Sequence, residues 1–231
     1  MSKNALVTGA GTGIGRAIAL VLAKAGYDVG LHCNASRYGA ESAAAEIRAL
    51  GRHAEVFQAD LSDLNAIGGM FEVFQREFSR LDLFVNNAGI TLLAPFLEMT
   101  PEAFDRNYAV DFRAPYFCMQ RAAKMMVEQG SGNIVAIASN NAYCQFARAS
   151  AYAAMKAGLV KMVRSIGLEM SKYGIRVNAI APGWRRTRVR RVLTRRSPPT
   201  TRSRSAAGFS LRRSGRPSSS LILRRRHPSP A

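Results

Sequence analysis

Residues 8–15 read Thr8-Gly9-Ala10-Gly11-Thr12-Gly13-Ile14-Gly15 and follow directly on the short apolar run Asn4–Thr8. Beyond them Ile18, Leu22 and Ala25 recur on one helical face, which predicts a helix over Ile14–Ala25. A glycine-rich turn between strand and helix lets the backbone approach a phosphate closely. It also aims the free N–H groups and positive dipole end of the helix at the negative charge. Turns use glycine in any case, so the strand-to-helix setting is what makes this a phosphate loop. Its spacing is G-x-x-x-G-x-G and not G-x-G-x-x-G. Gly9, Gly13, Ile14 and Gly15 are the candidate contacts.

The alternation continues outward from this loop. Strands are predicted at Asp28–Cys33, Ala54–Gln58, Leu81–Val85, Asn133–Ala138 and Arg176–Ile180, with helical segments between them. Stacked β-α-β units imply a parallel sheet covered on both faces, with six strands before Pro182. After Gly183 the character changes. From Trp184 to Ala231 there are 15 arginines, no lysine and no acid, so this segment carries +15 of the net charge of +18. The chain therefore divides into a nearly neutral domain, 1–183, and an Arg/Ser/Pro-rich tail, 184–231. The tail buries too little apolar surface to offset its ordering entropy and is expected to be disordered.

Cys33, Cys118 and Cys144 lie far apart, without a C-x-x-C pair or a neighbouring His cluster. No metal site or disulfide framework is expected, and a reducing cytoplasm suits the chain. No run approaches the length of a membrane span, and the N-terminus lacks the apolar core of a signal peptide. His32 and His53 read as ordinary strand or loop residues, and the Met125-Met126 and Phe71/Phe74/Phe78 stretches as packed helix faces.

At the end of the second strand, Cys33-Asn34, an NAD-selective protein would place an acid for the ribose 2′-hydroxyl. None is present there; Arg37, three residues on, is placed to neutralise a 2′-phosphate or simply to cap a solvated helix start. NADP(H) is favoured over NAD(H) on this ground. Tyr152 and Lys156 are four apart and share a helix face. An ammonium beside a phenol stabilises the phenolate, which makes tyrosine a usable proton donor or acceptor near neutral pH. Ser139 lies thirteen residues upstream of Tyr152. Tyr143 and Phe146, between the two, read equally as substrate contacts or loop packing.

Taken in order, Thr8-Gly9-x-x-x-Gly13-x-Gly15, Asp60-Leu61, Asn86-Asn87-Ala88-Gly89, Ser139, Tyr152-x-x-x-Lys156 and Asn178-Ala-Ile-Ala-Pro182-Gly183 resemble the short-chain dehydrogenases/reductases over roughly residues 4–183. The resemblance implies an α/β doubly wound parallel sheet of the Rossmann type, strand order 3-2-1-4-5-6. It implies an NAD(P)-dependent oxidoreductase interconverting a secondary alcohol and a ketone, of the 3-oxoacyl-thioester (3-oxoacyl-ACP reductase-like) or sugar/polyol kind. By the same resemblance Tyr152 exchanges the proton, Lys156 also binds the nicotinamide ribose, and Ser139 holds the substrate oxygen. Asp60 and Leu61 meet the adenine, Asn34 and Arg37 lie at its ribose, and Asn87, Ala88 and Gly89 line the cleft. Pro182 and Gly183 face the nicotinamide.

One core position departs from the family, where Asp111 stands in place of an Asn that anchors a water relay to the lysine. Its carboxylate can hold a water or pair with Lys156, and Asn107, one turn earlier, is a weak substitute. The family's covering loop, last strand and Val-Asp-Gly-Gly segment are not recognisable in the tail, although Thr187 matches a nicotinamide contact and Arg185 falls where an apolar residue is expected. Out-of-frame reading of a GC-rich gene, a basic extension that binds nucleic acid, and a regulatory tail all account for that composition. The expected chain has the catalytic set but an exposed edge strand and impaired activity. A homo-oligomer would form through 101–129 and 152–173. The rival reading is a non-catalytic nucleotide-binding remnant, or a basic-tailed protein that touches nucleic acid through the tail alone.

Overall fold

The computed structural model describes residues 2–183; the expected disorder of the tail and the readings of Arg185 and Thr187 lie outside the described residues. Six strands lie in one parallel sheet, β1 (Lys3–Val7), β2 (Tyr27–Cys33), β3 (Ala54–Gln58), β4 (Leu83–Asn86), β5 (Gly132–Ile137) and β6 (Ile175–Ile180). Their order is β3-β2-β1-β4-β5-β6, as expected. The connecting helices are α1 (Gly13–Lys24), α2 (Arg37–Ala49), α3 (Leu64–Phe78), α4 (Pro101–Tyr108), α5 (Ala114–Gln129) and α6 (Ser150–Met170). No described helix is long and apolar enough to cross a membrane.

Strand alternation sorts the core into two layers. Ala5, Val7, Val29 and Leu31 face α1 and α2, packing on Ala19, Ala43 and Ile47. Leu6, Phe84 and Ile134 face the other way, onto Phe71 and Phe74 of α3, Met119 of α5 and Leu159 of α6. Phe74 and Phe78 stack at 4.7 Å, and a Cβ on Gly30 would stand 2.9 Å from the rings of Phe57 and Phe74. Only glycine lets α3 settle on β2 at that distance.

Two local departures from the expected elements have physical causes. The fourth strand starts at Leu83 and not at Leu81, because Asp82 accepts the Asn4 amide at 2.8 Å and pairs with Arg80. Between α4 and α5 the chain makes a π-helical turn, Ala109–Arg113, where plain helix was expected. Such turns shift the side chains that follow relative to α-helical spacing, and Asp111 sits inside this one.

The start of α3 is fixed by Asp63, whose carboxylate accepts the Asn65 amide at 2.8 Å. Asp63→Ala is expected to destabilise the domain by about 1 kcal/mol in urea unfolding, the usual cost of a lost cap. An unchanged midpoint would mean that water replaces it. At the other end of the sheet β6 pairs with β5 along its length, and among the described residues no strand lies beyond it. Asn178, Ala179 and Ile180 are exposed there, Ile180 by 53%.

Candidate active site

The strand order reverses between β1 and β4, and in open α/β sheets the crevice at such a switch point, past the carboxyl ends of the strands, is where ligands sit. Thr8 and Asn87 lock it. The Thr8 hydroxyl accepts from the amides of Asn87 and Ala88 at 2.9 and 3.0 Å. The Asn87 side-chain amide donates to the carbonyls of Thr8 and Gly9 at 2.9 and 3.2 Å. Asn87 thus lines the cleft while its donor is committed to shaping the glycine loop, a use not visible in its motif.

Gly9 and Gly13 have φ of +66° and +57°, values open to glycine and strained for other residues. A Cβ on Gly15 would collide with the Gly9 carbonyl and the Asn87 amide. The loop therefore delivers α1 with its first turn bare: Thr12 makes no side-chain cap, and that turn contains no acid. Free amides, a positive dipole end and no competing carboxylate suit a pyrophosphate.

The far end of the cleft is more mixed. Asn34 is exposed at the exit of β2, and the nearby guanidinium of Arg37 is shared between Gln58 at 3.2 Å and Glu41 at 3.6 Å. Asp60 is exposed, and the amide and hydroxyl of Ser62 hold its carboxyl below the usual range. Leu61 is different: its side chain is buried in the core cluster that also holds residues of α3 and α5.

The reacting end is a cavity of about 210 Å³ lined by Ile14, Asn87, Gly89, Asp111, Ser139, Tyr152, Lys156, Pro182 and Gly183, among others. Ser139 and Pro182 are brought side by side by the β5–β6 pairing, which continues as Ala138 N–H to Ile180 O at 2.7 Å and Asn140 N–H to Pro182 O at 3.0 Å. The Ser139 hydroxyl caps the short turn that follows, accepting from the Asn141 amide at 3.2 Å. Tyr152 is half-buried in the first turn of α6, and the Lys156 Nζ lies 5.5 Å from its ring centroid.

Lys156 and Asp111 form a buried pair, Nζ to Oδ1 3.0 Å, with side-chain exposures of 4% and 0%. Burial pushes the Asp111 carboxyl above its ordinary value, while Lys156 and the Ile90 amide pull it back. A Cβ on Gly89 would lie 2.7 Å from Asp111 Oδ1 and 3.3 Å from Lys156 Nζ, so glycine there lets the backbone pass this close to the pair. The expectation that Asn107 could substitute for Asp111 is corrected. Asn107 is buried, and its amide group is taken by the backbone of Leu92, donating to the carbonyl at 3.1 Å.

Tyr143 is 59% exposed and Phe146 half-buried beyond the cavity wall. His32, read from sequence as an ordinary strand residue, is buried and bonds through both ring nitrogens to the loops around the cleft. A lone histidine in a strand carries no sequence signal for that. A second groove, about 490 Å³, runs between the π-turn, the start of α5 and the middle of α6, away from this chemistry. It is lined by Tyr108, Phe112, Tyr116, Phe117 and Met162, within the two segments expected to make subunit contacts.

A parallel sheet with a phosphate-ready helix start at its switch point, and serine, tyrosine and lysine gathered beyond it, defines a dinucleotide-dependent oxidoreductase as the class to compare. The family model described as short chain dehydrogenase matches residues 3–197, past the Gly183 limit read from the motifs. L-rhamnose 1-dehydrogenase (NAD(P)(+)) of Sphingomonas is 37% identical over 182 residues, 78% of this chain and 72% of that protein. The 3-oxoacyl-[acyl-carrier-protein] reductase FabG of Staphylococcus aureus is 36% identical over 184 residues, 80% and 75% of the two chains. The crystal structure of acetoin dehydrogenase from Enterobacter cloacae superposes with a TM-score of 0.76 at 40% identity, covering 79% of this chain and 75% of that one. The chain belongs to the short-chain dehydrogenase family and is an enzyme of that type.

Proposed function

We propose that this enzyme interconverts a secondary alcohol and a ketone, of the 3-oxoacyl-thioester or sugar/polyol kind, with NADP(H) favoured over NAD(H). The observation that carries the reading is the meeting of Ser139, Tyr152 and Lys156 in one cavity with the bare start of α1. The bound nicotinamide supplies or takes the hydride. The Tyr152 hydroxyl passes the proton to or from the substrate oxygen. Lys156 stabilises the phenolate, Asp111 holds Lys156, and Ser139 fixes the oxygen by a hydrogen bond. Gly9, Gly13, Ile14 and Gly15 hold the pyrophosphate. Asn34, Arg37, Asp60 and the Leu61 backbone hold the adenosine end, while Asn87, Ala88, Gly89, Pro182 and Gly183 line the nicotinamide side.

The preference for NADP(H) rests on an exposed Arg37 and no acid at the end of β2. Arg37→Ala is expected to weaken NADPH binding about tenfold and NADH binding little, since a charge-assisted contact to the 2′-phosphate is lost. Equal losses for both cofactors would remove the preference.

Division of the chain into a catalytic domain, 1–183, and a basic tail, 184–231, belongs to the same proposal. So do a cytoplasmic location and a homo-oligomer built on the groove between α5 and α6. Impaired turnover belongs to this proposal too, because the covering loop and last strand of the family are not recognisable in the sequence after Gly183. The test is loss of NADPH absorbance by the purified full chain with 3-oxoacyl thioesters, sugars and hydroxyketones. Turnover on any of these supports the enzyme reading, whereas cofactor binding with none supports a nucleotide-binding remnant. The tail's 15 arginines favour a second reading, contact with nucleic acid. Its mark would be salt-sensitive DNA binding that disappears on truncation after Gly183.

A further inference from the structure

His32 is 2% exposed at the carboxyl end of β2 and ties together the loops that follow β1 and β3. Its Nδ1 accepts the Gly9 amide at 3.1 Å, and its Nε2 lies 3.0 Å from the Ala59 carbonyl. Its own carbonyl accepts the Ala10 amide at 2.8 Å. Since an amide can only donate and a carbonyl only accept, the ring is neutral with its proton on Nε2. The residues it connects are the glycine loop, read above as the pyrophosphate cradle, and the approach to Asp60, read as part of the adenosine end.

We infer that His32 is a positioning residue for the nucleotide: its neutral ring holds the glycine loop in phosphate-binding shape, and its protonation releases it. The inference rests on the reading of Gly9–Gly15 as the phosphate loop. With both nitrogens protonated, Nδ1–H would face Gly9 N–H, donor against donor in a buried setting, and the loop must move away. Asp60 is the charged group that bears on the ring, and its carboxylate favours the protonated form. Burial opposes this and prevails, so the ring stays neutral below its ordinary value of 6.5. Cys33, the next residue, lies on the opposite face of the sheet, towards Arg37 and Glu41. Asp60 is itself held below the usual carboxylate range and stays ionised through the window that matters. The sign follows: the clamp is complete above 6.5 and is lost as the pH falls through the lower folded value.

The test is NADPH affinity of the full chain between about pH 8 and pH 5 for the parent, His32→Gln and His32→Phe. Glutamine keeps one acceptor and one donor without titrating, and it also reports the 2′-phosphate's own ionisation. The parent is expected to lose about tenfold more affinity than His32→Gln across that range. His32→Phe, without the acceptor, is expected to bind about tenfold more weakly at pH 8. Parallel pH profiles for the parent and His32→Gln overturn the inference. If the parent and His32→Gln both fail to bind at pH 8, the phosphate-loop reading itself falls and takes the inference with it. Nitrogen NMR of the imidazole needs neither cofactor nor variant. An Nε2–H tautomer titrating below 6.5 is expected, and an Nδ1–H tautomer overturns the clamp.

Discussion

Tyr152→Phe is expected to lower kcat by about 10²–10⁴-fold, the usual contribution of a positioned acid or base, while cofactor binding persists. The substitution removes one oxygen and leaves the ring beside Lys156, 5.5 Å from the Nζ, so α6 keeps its packing. A loss of rate would therefore report on chemistry and not on the fold. Ser139 would still hold the substrate oxygen, so KM should change much less than kcat. Steady-state rates for the parent and Tyr152→Phe, with NADPH affinity measured separately, give both quantities. A variant that loses KM and keeps kcat would assign the hydroxyl to substrate binding and place the proton elsewhere. A variant that stops binding NADPH would make Tyr152 part of the nucleotide site first.

The legible part of this chain is what depends on local rules. A strand, a glycine turn and a helix at residues 4–25 announce a β-α unit because periodicity and turn chemistry act within a few residues. The doubly wound order and the gathering of Ser139, Tyr152 and Lys156 followed from motifs in sequence, and the sheet has that order. What escaped depends on partners far along the chain. His32 reaches Gly9, 23 residues away, and Asn87 reaches Thr8, 79 residues away, through single side chains with no periodic signature. Asn107 reads from spacing as a neighbour of Asp111, yet its side-chain amide is taken by the Leu92 carbonyl, 15 residues away. Leu61 lies in a motif that suggests a ligand contact, and in the turn after β3 its side chain is buried in the core.

Asp111→Ala is expected to destabilise the domain by about 3–5 kcal/mol, because it orphans a buried ammonium. Asp111 is fully buried and Lys156 nearly so, at 0% and 4% exposure, with 3.0 Å between Oδ1 and Nζ. The pair is not itself a large source of stability. Burial holds the Asp111 carboxyl above its ordinary value despite the lysine. By linkage its contribution is full below its unfolded value of 3.8 and diminishes as the pH rises through the folded value. The damage comes from removing one partner alone, so Lys156→Met should also destabilise, and the double variant Asp111→Leu/Lys156→Met should recover most of the loss. Urea unfolding of the parent, Asp111→Leu, Lys156→Met and the double variant closes the cycle, and additive losses would show that the two side chains act independently. Asp111→Asn keeps the shape and removes the charge. Its loss in urea unfolding is expected to be smaller than that of Asp111→Ala, and an equal loss would show that the charge, and not the packing, carries the effect.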